Sequence, residues 1–337
     1  MKAVTLFQLW VPLVALLLNS SDAYCPVVIC PGFGNDSIDY DEPLQQPQEV
    51  GLKSVLSRRG FDPDRIYTVP IQRSDWIRVA GGLLDIPNFY TGNALPTGLG
   101  YGWYIKRLKE SVDQAYEESG GEKVILIAHS DGGWLARAAK SDGIWRDEEG
   151  TCIRTNERVR CLVTMGAIHR VPEDESTCVT RGALKNTDAL FPGAYLKDDG
   201  IKYVSIGGAA VVGQKLDADS DAAGDKASRV AFSSYQAVSG QGGLTGDGVV
   251  PLSWTQLDGA RQILLDDVFH SINEAGTTNP TDRWYGSEGV IDRWLPTVME
   301  EVGIGNKQTK TKDNLFAFDG LGSWVSNLMS PPEDKSR

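Results

Sequence analysis

The chain is poor in histidine: in 337 residues there are only His129, His169 and His270. None stands at metal-ligand spacing from the cysteines, so a zinc site is not expected. Positive charge is also short. Lys and Arg number 33 against 45 Asp and Glu, the formal net charge is −12, and no basic run is dense enough to form a segregated patch. Such a chain repels a phosphate backbone, which excludes nucleic acid as an expected partner. Internal repeats are absent. The apolar stretch at 6–18 is short for a membrane span and contains Pro12.

That stretch reads instead as part of a leader. Lys2 supplies the positive start and Ser21-Asp22-Ala23 the small residues of a cleavage site, so residues 1–23 are expected to be a signal peptide and the mature chain to begin at Tyr24. The implied destination is the secretory pathway, secreted or in an endomembrane lumen. The alternative is a plastid reached by a signal-peptide route, which Tyr24-Cys25-Pro26 after the small residues faintly suggests. Five cysteines, an odd number, would then sit in an oxidising compartment. Cys25 and Cys30 lie five apart on an extended stretch and face opposite ways. Cys152, Cys161 and Cys178 remain as disulfide candidates, in no particular pairing.

Apolar runs alternate with amphipathic stretches. The runs lie at 27–30, 65–70, 123–128, 160–166, 202–207 and 261–266; helical spacing appears at 47–59, closed by Gly60, at 103–118, and from about Gly132. Continuous apolar strands between helices indicate an α/β fold with a mostly parallel sheet covered on both faces. The stretches 71–100, 171–200 and 208–246, rich in Gly, Pro, Ala and Asp, read as cap-like insertions on one rim. Residues 24–302 form the expected domain. The composition changes over 303–337, an expected tail whose outer parts are mobile.

One stretch carries chemistry. In "ILIAHSDGGWLAR" (125–137) a strand runs into a helix through Ala128-His129-Ser130-Asp131-Gly132. A turn this sharp forces its central residue into strain and needs small neighbours two places away, which Ala128 and Gly132 provide. Ser130 would stand clear of the backbone, with the amides of the helix start aimed beside it. His129 should face away from the hydroxyl. The sequon Asn35-Asp36-Ser37 reads as structural.

This stretch resembles the nucleophile elbow of α/β-hydrolases. "PVVICPGFGND" resembles the oxyanion loop of lipases and GPI inositol-deacylase-like proteins, "TGDGVVPLSW" their acid loop, and "LLDDVFHSI" their histidine loop. With "RSDWIRVAGGLLD" and "RWYGSEGVIDRW", the pattern over roughly 25–297 is similar to a lipase-like or GPI inositol-deacylase-like group of plants, algae and cyanobacteria. The resemblance implies a catalytic triad of Ser130 as nucleophile, His270 as general base and Asp247 as its orienting acid, in the chain order of that fold. It implies an oxyanion hole built from the backbone amides of Phe33 and Asp131. The Asp131 carboxylate beside the oxyanion would be unfavourable unless turned to solvent. His169 and Trp76 are candidate pocket residues. Asp247 is preferred over Asp266 and Asp267 because flanking glycines let a tight turn aim its carboxylate.

The function read from this is a serine ester hydrolase, lipase- or esterase-like, acting through an acyl-enzyme on a lipid or other apolar acyl ester. No cofactor is needed, and a transient membrane-surface contact is among the expected partners; the oligomeric state is open. The alternatives are an acyltransferase using the same triad and a non-catalytic binding protein on a hydrolase fold.

Overall fold

The computed structural model describes residues 25–43, 46–147, 149–216 and 223–304. The expected signal peptide and nearly all of the expected tail lie outside the described residues. The chain divides into two units, Met1–Leu295 and Pro296–Arg337. The sheet and the site belong to the first.

Six of the apolar runs become strands: β1 (Val27–Cys30), β2 (Ile66–Thr68), β3 (Val124–His129), β4 (Val159–Met165), β5 (Lys202–Gly208) and, after a short ribbon of β6 (Val211–Val212) and β7 (Thr245–Gly246), β8 (Arg261–Leu265). They pair in the order β2-β1-β3-β4-β5-β8. Every neighbouring pair in this sheet is parallel. The alternation of side chains explains why the runs are apolar throughout rather than at every second position. Val28, Cys30, Leu126, Ala128 and Leu162 join one core with Tyr104, Ile105 and Leu108. The intervening Val27, Ile29, Ile125, Ile127 and Val163 are at most 1% exposed, so the opposite face is covered too.

Helix α1 (Leu52–Arg58) buries Leu52, Val55 and Leu56. It is shorter than the expected 47–59, because Gly51 is extended (φ −64°, ψ 145°) and separates it from a 3₁₀ turn at Gln48–Val50. Gly60 follows it at φ 98°, the left-handed position a helix end favours. The insertion at 71–100 winds into 3₁₀ turns, Arg73–Leu84, and α2 (Ile86–Thr91). Helix α3 (Gly102–Glu118) buries Tyr104, Ile105, Leu108, Val112 and Ala115 along one stripe. It packs against α4 (Asp131–Ala139). The remaining helices are α5 (Ala183–Leu190), α6 (Ala223–Ser239), α7 (Leu252–Thr255) and α8 (Glu288–Glu301). Arg58 and Arg59 of α1 form ion pairs with Glu288 and Asp292 of α8.

Parallel strands in this order, with a helix entered directly from β3 and helices on both faces, make the α/β-hydrolase fold. The parallel arrangement sends every strand's carboxyl end to one edge, and the loops after β1, β3 and β8 gather there. The cysteine expectation needs correction. The five cysteines form no disulfide among the described residues. Cys161 is buried within β4, whereas Cys152 bonds the carbonyl of Gly143 and Cys178 meets the Thr180 hydroxyl at 3.2 Å. A strand interior and two separate loops do not bring those side chains together.

Candidate active site

Ser130 stands alone between β3 and α4, at φ 52° and ψ −129°. Among the described residues only it and Arg181 have positive φ without being glycine. That conformation costs on the order of 1–3 kcal/mol and persists only where the surroundings over-determine it. They do so here: the Ser130 amide donates to the Met165 carbonyl of β4 at 2.9 Å, and the Gly133 amide donates to the Ser130 carbonyl at 2.9 Å. The small neighbours are a packing requirement. A Cβ on Gly132 would lie 2.6 Å from the Cys30 carbonyl oxygen, and one on Gly133 would lie 2.3 Å from the Ala167 Cβ.

The elbow brings Ser130 to His270 and Asp247. Ser130 Oγ is 3.0 Å from His270 Nε2, and His270 Nδ1 is 2.8 Å from Asp247 Oδ2. The Asp247 carboxylate is fully buried and accepts further bonds. Its Oδ1 takes the amides of Val249 and Val250 at 3.0 and 2.8 Å, and its Oδ2 takes the Tyr285 hydroxyl at 2.8 Å. The His270 amide donates to the Asp247 carbonyl at 2.9 Å, so the two loops are also joined through the backbone. Of the competing acids, Asp266 is exposed and Asp267 is bonded to Arg293 at 2.7 Å.

The opposite wall is the loop after β1. Its Gly32 amide donates to the Tyr40 hydroxyl at 3.0 Å, and its Pro31 carbonyl accepts the Tyr104 hydroxyl at 2.7 Å. Phe33 follows, its side chain 54% exposed and its ring 5.1 Å from that of Trp76. Asp131 is the first residue of α4, where an amide has no acceptor within its own helix. Two expectations are corrected here. The Asp131 carboxylate does not turn to solvent: it is half-buried, accepts the Trp134 indole N–H at 3.0 Å, and burial raises its pKa above the ordinary carboxylate value. Trp76 is not an open pocket wall. It is buried, its indole donates to the Asn35 carbonyl at 2.9 Å, and it props the loop that carries Phe33.

His129 faces away from the hydroxyl, as expected. Its Nδ1 meets the Tyr40 hydroxyl at 2.9 Å and its Nε2 donates to the His270 carbonyl at 2.9 Å. Burial, and then the nearby His270, take its pKa down to about 3, so it is neutral. His169, a candidate pocket residue, is instead a core residue: 2% exposed, with Nε2 3.1 Å from the Thr164 hydroxyl and no hydrogen bond to the triad. Asn35 and Ser37 of the sequon bond Asp39 and the Val69 and Ile71 carbonyls, a structural turn.

Four phenols brace the site, and sequence reasoning found none of them. Tyr40 and Tyr104 hold the loop after β1; Tyr235 accepts the Gly248 amide beside the acid at 2.8 Å; Tyr285 accepts the Gly208 amide at 2.7 Å while donating to Asp247. A tyrosine distant along the chain carries no local signal of such a role. A cleft of about 230 Å³ opens beside His270, lined among others by Val230, Val249, Ser271 and Ala275. A larger one, about 390 Å³, lies between Leu84, Trp103 and Ile153 and contains none of the three triad residues. On the insertion, Ile77 and Leu84 are each 78% exposed and Tyr90 74%.

No family model and no curated protein matches the chain. Among solved structures it is similar to the phospholipase PlaB from Legionella pneumophila, with a TM-score of 0.44 and 12% identity over 86% of this chain and 65% of that one. The same phospholipase in complex with thio-NAD gives a TM-score of 0.37 and 13% identity over 69% of this chain and 44% of that one. In both comparisons the chain spans less than two thirds of the solved chain.

Proposed function

We propose that the protein is a serine ester hydrolase acting through an acyl-enzyme on an apolar acyl ester. The observation that carries this reading is the unbroken line of hydrogen bonds from the Ser130 hydroxyl through His270 to the buried Asp247, with the serine held on a strained turn. A serine hydroxyl alone is too weakly acidic to attack well near neutrality. In the proposed reaction His270 Nε2 takes its proton as Oγ bonds to the ester carbonyl carbon, and the carbonyl electron pair moves onto oxygen. The amides of Phe33 and Asp131 would stabilise that oxyanion, a contribution of about 3 kcal/mol or more per donor in comparable sites. Collapse expels the alcohol, which receives the proton from His270. Water, deprotonated by the same nitrogen, then releases the acid and restores the hydroxyl. Asp247 keeps the proton on Nδ1 and balances the imidazolium. The scheme calls for no metal or organic cofactor.

An apolar acyl group is supported by the exposed Phe33 on the oxyanion loop, whose ring packs on Trp76 of an insertion that also exposes Ile77, Leu84 and Tyr90. The test is labelling with a fluorophosphonate probe beside a panel of acyl esters, peptides and phosphoesters. The adduct should map to Ser130, medium-chain esters should turn over, and Ser130→Ala should abolish both. An adduct on Ser205 or Ser271, or turnover of peptides or phosphoesters with esters untouched, would refute the reading.

A further inference from the structure

We propose that the protein carries a buried site for a small monovalent anion of the halide class, held by Arg137 and Lys140 at the carboxyl end of α4. Both side chains are fully buried. The Arg137 guanidinium uses one nitrogen, Nη2, for Asp188 at 2.8 Å and the Phe191 carbonyl at 2.9 Å. Its Nε and Nη1 find no acceptor among the described residues, nor do Lys140 Nζ and His169 Nδ1. These groups lie together. Lys140 Nζ stands 4.4 Å from the centre of the Tyr203 ring, and the Arg137 charge acts on both Lys140 and His169.

The chemistry of the cluster selects its ligand. Guanidinium and ammonium only donate, so what satisfies them must accept. A guanidinium cannot lose its proton, and a buried donor left unpaired is costly. Two cations face one carboxylate, and the Asp188 side chain is 44% exposed, largely spent in water. The excess is one positive charge, which one monovalent anion balances. The buried Phe191 and Tyr203 border the cluster, and a halide is the smallest anion that donors on both cations could share. With the anion in place the lysine retains its proton; without it, burial drives that amine's pKa well down. None of these residues touches the triad, so the proposal stands apart from the esterase reading.

The test uses bromide as the probe, on the full chain. Crystals grown in sodium bromide should show an anomalous peak within hydrogen-bond reach of Lys140 Nζ and Arg137 Nη1. In solution, at constant ionic strength with gluconate as the replaced anion, Tm should rise with bromide concentration, because a ligand bound only by the folded state stabilises it. Lys140→Met, which keeps the apolar stem, should lose both responses. Water density without anomalous signal at the cluster, a wild-type Tm indifferent to bromide, or a response unchanged in Lys140→Met would each overturn the proposal.

Discussion

Asp247 accepts four hydrogen bonds on two oxygens, and the division between them matters. Oδ1 is occupied by the Val249 and Val250 amides, which lock the carboxylate plane, while Oδ2 is shared by His270 and Tyr285. An asparagine can keep the first pair, but its amide would present N–H where His270 Nδ1 needs an acceptor. The imidazole would then carry its proton on Nε2, unable to take one from Ser130. Asp247→Asn should therefore stay folded and lower kcat by about 10⁴-fold with KM little changed, as loss of the correct tautomer does elsewhere. Asp266→Asn and Asp267→Asn should change little; collapse in either, with Asp247→Asn near wild type, would move the acid to the histidine loop. Asp131 invites a different experiment. Its half-buried carboxyl adjoins the proposed oxyanion position, and its ionised form would oppose the charge that develops there. Asp131→Asn keeps the acceptor for Trp134 and should raise kcat/KM at alkaline pH by up to about tenfold, the factor worth 1.4 kcal/mol. A fall would show that the carboxylate assists. Ser130, Asp247 and His270 were legible because each sits in a short local pattern. Tyr285 and Tyr235 were not, since their roles depend on where the fold delivers a hydroxyl.

Between the elements, α4 packs tightly against the loop that follows β4: Gly133 meets Ala167 there with no space for a methyl. Gly133→Ala should lower Tm through overpacking that costs about 1–3 kcal/mol, and Gly133→Ala with Ala167→Gly should recover most of it. An unchanged Tm in the single variant would mean the helix stands off the strand. The strands of this sheet were readable because burial on both faces makes them continuous apolar runs, bounded by Gly, Pro and Asp. Helix α6 was not. Its 17 residues fall inside a stretch read as a weakly periodic insertion, and the apolar residues it buries are Ala231, Tyr235 and Val238, set among alanines and serines. Helix α8 carries Val290, Ile291, Trp294 and Leu295 at helical spacing, yet its first half lies in a stretch legible only as a motif. The split of 47–59 depended on Gly51, whose extended backbone no apolar spacing reveals.

For the molecule as a whole, the buried neutral imidazoles contribute to its response to acid. His129 has a pKa of about 3 in the fold against 6.5 as a free side chain, and His169 is shifted the same way. Between those values the unfolded chain binds a proton that the folded chain refuses, so stability rises with pH across that window. Its contribution is complete above pH 6.5 and drains away as pH falls toward 3. Tm measured from pH 7 to 4 should decline, and His129→Gln should flatten the slope even while lowering stability at pH 7. A slope identical in the variant would assign the acid response elsewhere.

The strained conformation of Ser130 has a further consequence, in the currency of descent rather than rate. Glycine occupies positive φ at no steric cost. A lineage with no use for the hydroxyl would relieve that strain by drifting to glycine at 130, which keeps the elbow's backbone bonds to Met165 and Gly133 in place. Gly132 and Gly133 have no such freedom, because neighbouring backbone and side chains hold them. On the proposed reading the elbow is a record of use: its glycines would outlast the reaction, and its serine would not.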